Sequence, residues 1–215
     1  MPDPKLHDIR AVLFDIDGTL LDTFEFIYGA FEFALDRHGI QPLPREEISR
    51  LMGGPLEEVY AVMVPNGNAK TLAESHRTFQ SENLRLATLF PATIEVLESL
   101  KHRGMKIAAI TTRSIRTSVR SLEETGIAPY FDLIISGEDV EFVKPHPEPL
   151  LKAIKSLAVK PEEAVMVGDT HADITAGKNA GVKTVAALYG FGGELLLELK
   201  PDYAIRDLRK LLDIV

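Results

Sequence analysis

Four aspartates, one lysine and a pair of threonines carry spacings in this chain that could do chemistry. Asp15 and Asp17 stand in Phe14-Asp15-Ile16-Asp17-Gly18-Thr19-Leu20, directly behind the apolar run Ala11–Phe14. Carboxylates two residues apart share one face of a regular strand, and like charges that close repel unless a cation or a shared proton relieves them. Gly18 permits a sharp turn that brings backbone N–H groups toward the pair. In isolation the same residues read equally well as a solvated turn. Three further features shift that balance. Ile110-Thr111-Thr112 closes the run Lys106–Ile110, Lys144-Pro145 follows Leu133–Ile135, and Val167-Gly168-Asp169 closes Ala164–Val167, with Asp173 four residues later. An acid pair, hydroxyls, a fixed positive charge and a further acid therefore all fall behind short apolar runs.

Those runs, with Thr184–Ala187, are of strand length, rich in Val and Ile, and do not alternate with polar residues. Strands covered on both faces in a parallel sheet read this way. Amphipathic stretches follow. Ile115, Val119 and Leu122 repeat behind Ser114, a good N-cap, with Gly126 at the stop; Pro147 opens another helix carrying Leu150, Leu151, Ile154 and Leu157 on one stripe. Alternating strands and helices predict an α/β fold, a doubly wound parallel sheet, whose ligands gather at the carboxyl ends of the strands.

The rhythm breaks between Asp22 and Phe90, where helical periodicity replaces strands. Ile27, Ala30, Phe31, Ala34, Leu35 and His38 form a stripe ended by Gly39; Arg45–Leu51 and Leu56–Met63 read as short helices divided by Gly53-Gly54-Pro55; a longer helix starts near Asn68 and carries Leu72, His76, Phe79 and Leu86. Residues 22–90 are thus expected to form an all-helical module inserted into a core made of 1–21 and 91–215.

Composition narrows the function. With 24 Lys+Arg against 32 Asp+Glu the formal charge is −8, so nucleic acid is not an expected partner. Without cysteine there is no thiolate metal site, disulfide or cysteine nucleophile. Met1–Arg10 lacks the apolar stretch of a secretory signal, and no run approaches the roughly 18–20 apolar residues of a membrane span. The expectation is a cytoplasmic protein, no membrane partner, monomeric or weakly homodimeric. Gly190-Phe191-Gly192-Gly193 places Leu195 where a dinucleotide-binding loop needs its last glycine. The histidines show no zinc spacing and read as incidental.

The segments DIDGTLLDT, ITT, KPHPEP and VGDTHADITAGKNAG, spread from Asp15 through Gly181, resemble the four motifs of the haloacid dehalogenase-like hydrolase superfamily. The placement of the helical insert resembles the helical-cap subgroup that holds phosphoglycolate phosphatases and related bacterial pyrophosphatases. The resemblance implies a Mg²⁺-dependent phosphatase. Asp15 would be the nucleophile, forming an aspartyl-phosphate, and Asp17 the general acid and base. Thr111 and Lys144 would neutralise the phosphoryl oxygens, with Gly18, Thr19 and Thr112 lining the phosphate. Mg²⁺ would be held by the Asp15 carboxylate, the Asp17 main-chain carbonyl and Asp169. Asp173 would lie behind these ligands, or cap a helix, since Thr170-His171-Ala172-Asp173 resembles a capping box with Asp in place of Glu.

Asp17 sets the chain apart from dehalogenases and phosphonatases, which lack the second aspartate. Phe24-Glu25-Phe26-Ile27 offers no histidine of the kind hexose-phosphate mutases carry there. The stretch Ile110–Arg113 departs from the TNK of phosphoglycolate phosphatases toward the TTK of the pyrophosphatases. The expected substrate is a small phosphorylated metabolite, phosphoglycolate-like, with pyrophosphate the alternative and a non-catalytic phosphate-binding module the alternative of another class. Gly53 and Gly54 fall where the insert would select the substrate. Arg113 and Arg116 read first as a solvated helix face and second as contacts for a substrate anion.

Overall fold

The computed structural model describes residues 6–215. Met1–Lys5, half of the stretch read above for a secretory signal, lie outside the described residues. Six parallel strands form the main sheet: β1 (Ala11–Phe14), β4 (Lys106–Ile110), β5 (Leu133–Ile135), β6 (Ala164–Gly168), β7 (Lys183–Ala187) and β8 (Tyr203–Ile205), in the order β5-β4-β1-β6-β7-β8. β1 is central and wholly buried, with Ala11 opposite both Lys106 and Ala164. Its side chains alternate between two cores. Val12 and Phe14 join Ile107, Val165, Val96 and Leu100 on one face, whereas Ala11 and Leu13 join Ala108, Met166, Leu150 and Ile154 on the other. The first layer uses α5 (Thr93–His102), α6 (Ile115–Glu124) and α9 (Leu211–Ile214); the second uses α7 (Glu148–Leu157) and α8 (His171–Ala180). This is the expected doubly wound parallel sheet.

The helical stretch is α1 (Phe24–Arg37), α2 (Arg45–Arg50), α3 (Leu56–Met63) and α4 (Ala69–Glu82). Asn68 caps α4, accepting from Thr71 N at 3.2 Å. α1, α3 and α4 meet where the Phe31 ring packs edge-on against His76 at 4.6 Å and Tyr60 Oη bonds His76 Nδ1 at 3.0 Å. A two-stranded antiparallel ladder of β2 (Leu21–Asp22) and β3 (Thr88–Leu89) ties both ends of the insert together, pairing Leu21 with Leu89. Among the described residues no helix is long and apolar enough to cross a membrane.

Several expectations are corrected in detail. β3 lies within the stretch read as strand-free, because its pairing with β2 needs only two residues and leaves no periodic trace. β8 is a further strand not expected from the apolar runs, because at the sheet edge it has three residues of which only Ile205 is buried. Leu86 sits in a separate 3-10 turn beyond α4. Leu151 is exposed, the core stripe of α7 running through Leu150, Ala153, Ile154 and Leu157. Ile115 is exposed too: α6 buries Leu122 of the expected stripe together with Ser118 and Ser121, whose hydroxyls are paired with Ser114 O and Arg113.

Candidate active site

The loops behind β1, β4, β5 and β6 converge because these four strands are consecutive in the sheet and all point the same way. Asp15 follows β1, its N–H donating to Val167 O at 2.9 Å, so the backbone of the next strand fixes the first acid. Thr111 follows β4 and is buried, its N–H donating to Ile135 O at 2.9 Å. Lys144 is 3% exposed, which rules out a solvated loop lysine. Its Nζ donates to Asp15 Oδ1 at 2.5 Å, Asp173 Oδ1 at 2.6 Å and Ile110 O at 2.8 Å. All three ammonium donors are therefore used.

Asp169, fully buried behind β6, accepts at Oδ1 from Thr19 Oγ1 and at Oδ2 from Phe191 N, both at 2.8 Å. Asp173 accepts at Oδ2 from Thr170 N at 2.9 Å and Thr170 Oγ1 at 2.6 Å, reaching back over the start of α8 as a cap should. Asp173 is thus both the helix cap and the second carboxylate on Lys144.

Asp15, Asp169 and Asp173 each place a carboxylate oxygen within 4.8 Å of the others, and all three are buried. Burial pushes the Asp15 carboxyl up to about 7, with the charges of Asp173 and Asp17 adding to the effect and Lys144 opposing it. Burial likewise raises Asp169 well above the carboxylate range, reinforced by Asp15 and Asp173. One ammonium among three acids leaves an excess of hard anionic oxygen, the donor set that suits Mg²⁺. The residues fit such an ion. Gly18 is part of this packing: it has φ of +83°, and a Cβ there would collide with Asp169 Oδ2.

Above these acids lies a cavity of about 560 Å³ between sheet and insert. Asp15, Asp17, Thr111, Thr112, Lys144 and Thr170 line its sheet side, and Gly53, Gly54, His76 and Arg77 its other wall. Asp15, Asp17, Thr111, Thr112, Lys144, Gly53 and Gly54 are thus brought together as expected. Gly18 and Thr19 are not: the Gly18 N–H donates to Leu21 O at 2.8 Å, the Thr19 N–H to Ile16 O, and the Thr19 hydroxyl to Asp169. These donors hold the loop and the acid rather than facing the cavity. Gly53 has φ of +98°, and a Cβ there would stand 3.0 Å from Ala172 Cβ and from Thr170 Oγ1; at Gly54 the nearest atom would be Val59 Cγ2 at 3.8 Å. Gly53 is the position where insert and sheet domain meet closely.

Two residues that the sequence left aside belong here. His76 lines the cavity, and its burial, with Arg77 and Arg113 nearby, lowers it to about 3, so the ring is neutral. Arg113, read first as solvated, has a side chain only 12% exposed. Its Nη1 donates to Asp17 Oδ1 at 3.1 Å, its Nη2 to Thr117 O at 3.0 Å and to Ser121 Oγ at 2.8 Å, and its guanidinium lies 5.3 Å from the centre of the Phe26 ring. Arg116 is exposed, as expected. The arginine directly behind the Thr111-Thr112 pair was the available signal.

Comparison with known proteins agrees with this architecture. A family model described as haloacid dehalogenase-like hydrolase matches residues 12–187. A protein named Pyrophosphatase PpaX, from Bacillus mycoides (strain KBAB4), is 37% identical over 209 residues, covering 96% of this chain and 97% of its own length. A haloacid dehalogenase-like hydrolase from Streptococcus pneumoniae superposes with a TM-score of 0.87 at 27% identity, covering 96% of this chain and 98% of its own. A predicted phosphoglycolate phosphatase from Haemophilus somnus 129pt shares the fold with a TM-score of 0.88 at 23% identity, covering 97% and 99%.

Proposed function

The chain belongs to the haloacid dehalogenase-like hydrolase family, and from that premise we propose that it is a Mg²⁺-dependent phosphatase acting through an aspartyl-phosphate on Asp15. The observation that carries the reading is Lys144: a buried cation locked between Asp15 and Asp173 at the floor of a cavity fixes one carboxylate where a phosphoryl group would meet it. In the first step an Asp15 oxygen bonds to phosphorus while the bond from phosphorus to the leaving oxygen breaks. The electron pair stays with that oxygen, and Asp17 gives it a proton. In the second step Asp17 takes a proton from water, whose oxygen attacks phosphorus, restoring the Asp15 carboxylate and releasing phosphate. The positive charge of Lys144, held beside Asp15, offsets charge on the phosphoryl oxygens throughout, and the Thr111 hydroxyl donates a hydrogen bond to one of them.

The Asp15 carboxylate, the Asp17 main-chain carbonyl and Asp169 would hold the ion, which when bound supplies charge neutralisation at the phosphoryl group. Asp173 would lie behind the ion instead, because both its oxygens are engaged, Oδ1 by Lys144 and Oδ2 by the N–H and hydroxyl of Thr170 at the start of α8. Residues 22–90 act as a lid that excludes water and selects the leaving group. Pyrophosphate is the favoured substrate, supported by the name of the Bacillus relative; phosphoglycolate is the second reading, supported by the expectation from sequence.

The test is phosphate release from pyrophosphate, phosphoglycolate and p-nitrophenyl phosphate, with Mg²⁺ and with a chelator. Turnover that needs Mg²⁺ is expected, together with a larger loss of Mg²⁺ affinity, by calorimetry, in Asp169→Ala than in Asp173→Ala. Absence of turnover on all three would favour a non-catalytic phosphate-binding module. A greater loss for Asp173→Ala would reverse the two assignments.

A further inference from the structure

Asp17 is the group that would hand its proton to the leaving oxygen, and such a transfer requires that oxygen to lie within about 2.6–3.2 Å of the carboxylate. Arg113 Nη1 already occupies that neighbourhood, 3.1 Å from Asp17 Oδ1 and 3.4 Å from Oδ2. Whatever chemical group carries the leaving oxygen must therefore arrive beside this guanidinium.

The guanidinium is placed by other parts of the fold. Nη2 is tied to α6 through Thr117 O and Ser121 Oγ, and Phe26 of α1 lies across its face. Nε is buried and has no hydrogen-bond acceptor. Of the other cations on the cavity wall, Lys144 has used its three donors on Asp15, Asp173 and Ile110 O, and Arg77, its side chain half-exposed, pairs with Glu57 at 2.7 Å; Arg113 is the cation bonded to Asp17.

We infer that Arg113 is the specificity-determining residue for the leaving group, trading part of its contact with Asp17 for an anionic oxygen of the substrate, so that this site prefers substrates whose leaving group carries its own negative charge. The inference rests on the reading of the cavity as a phosphatase site and adds the class of substrate to it. A phosphate and a carboxylate leaving group share the required chemistry. In pyrophosphate the charge sits on atoms bonded to the leaving phosphorus; in phosphoglycolate it is held on the carboxylate beyond one methylene.

The test compares kcat and KM for pyrophosphate, phosphoglycolate and p-nitrophenyl phosphate, whose leaving group bears no second anion, in the wild type and in Arg113→Met and Arg113→Lys. In Arg113→Met, kcat/KM for the anionic-leaving-group substrates should fall about 10- to 100-fold further than for p-nitrophenyl phosphate, the range of a lost charge-assisted hydrogen bond. Arg113→Lys should recover part of the difference. Whichever of pyrophosphate and phosphoglycolate loses more identifies the source of the anion. Should Arg113→Met fail to fold, binding of methylenediphosphonate and methylphosphonate to the wild type and Arg113→Lys reads the same contact: only the diphosphonate should weaken.

A loss of equal factor on all three substrates, or equal weakening of both phosphonates, would overturn the inference and leave Arg113 as a positioning residue for Asp17. A wild type inactive on every substrate would overturn the phosphatase reading itself, and the inference with it.

Discussion

Asp15→Asn is expected to abolish turnover, a fall on the order of 10⁶-fold if Asp15 is the covalent nucleophile, while the protein melts within a few degrees of the wild type. The amide has the shape of the carboxylate but no anionic oxygen to attack phosphorus. The fold should tolerate it because this position already disfavours charge: burial, with Asp173 and Asp17 beside it, lifts the carboxyl to about 7. Lys144 keeps Asp173 and Ile110 O as partners. Steady-state phosphate release and a thermal melt check both halves. Near wild-type rates with unchanged melting would remove Asp15 from the chemistry.

Lys144→Met should be the most destabilising single change at the site. It removes the buried cation shared by Asp15 and Asp173 and leaves both acids unpaired, and breaking a buried pair this way costs about 3–5 kcal/mol. The deficit should depend on pH. The folded value of Asp15, about 7, lies above its unfolded value of 3.8. Its contribution to stability is therefore full below the unfolded value and lost as pH rises through about 7. Lys144 opposes that upward shift, so removing it should enlarge the loss on the alkaline side. Urea unfolding in the presence of a chelator should show a greater deficit at pH 8 than at pH 5, and adding Asp173→Asn should recover part of it. A small deficit, independent of pH, would mean that the three acids do not depend on this lysine.

Much of the site was legible in the sequence because parallel topology turns separate motifs into neighbours. Once Ala11–Phe14, Lys106–Ile110 and Ala164–Val167 read as buried strands, Asp15, Thr111 and Asp169 had to share one edge of the sheet. The Asp173 cap was legible for a local reason, since a side chain three residues from the N-cap reaches its backbone in any helix. What escaped depended on contacts between distant segments. The Thr19 hydroxyl is spent on Asp169, 150 residues away. His76 continues the apolar stripe of α4, and periodicity gives the same signal for a core residue and for one on a cavity wall. Arg113 precedes α6, where an outward side chain and one turned back over the Thr111-Thr112 pair have the same sequence. On α6 hydropathy finds Leu122 but points to Ile115, because the rest of the buried side is Ser118 and Ser121, which it counts as polar.

The central claim, a covalent phosphoryl group on Asp15, is tested most directly by trapping it. Asp17→Asn protein would be mixed with Mg²⁺ and p-nitrophenyl phosphate, whose leaving group departs without a proton so that release of the intermediate is the impaired step, then quenched, reduced with borohydride and analysed by peptide mass spectrometry. An aspartyl-phosphate is reduced to homoserine, so the account predicts homoserine at position 15, dependent on substrate and absent at Asp169 and Asp173. Turnover by the wild type with unmodified Asp15 in every quenched sample, or homoserine at another aspartate, would contradict it.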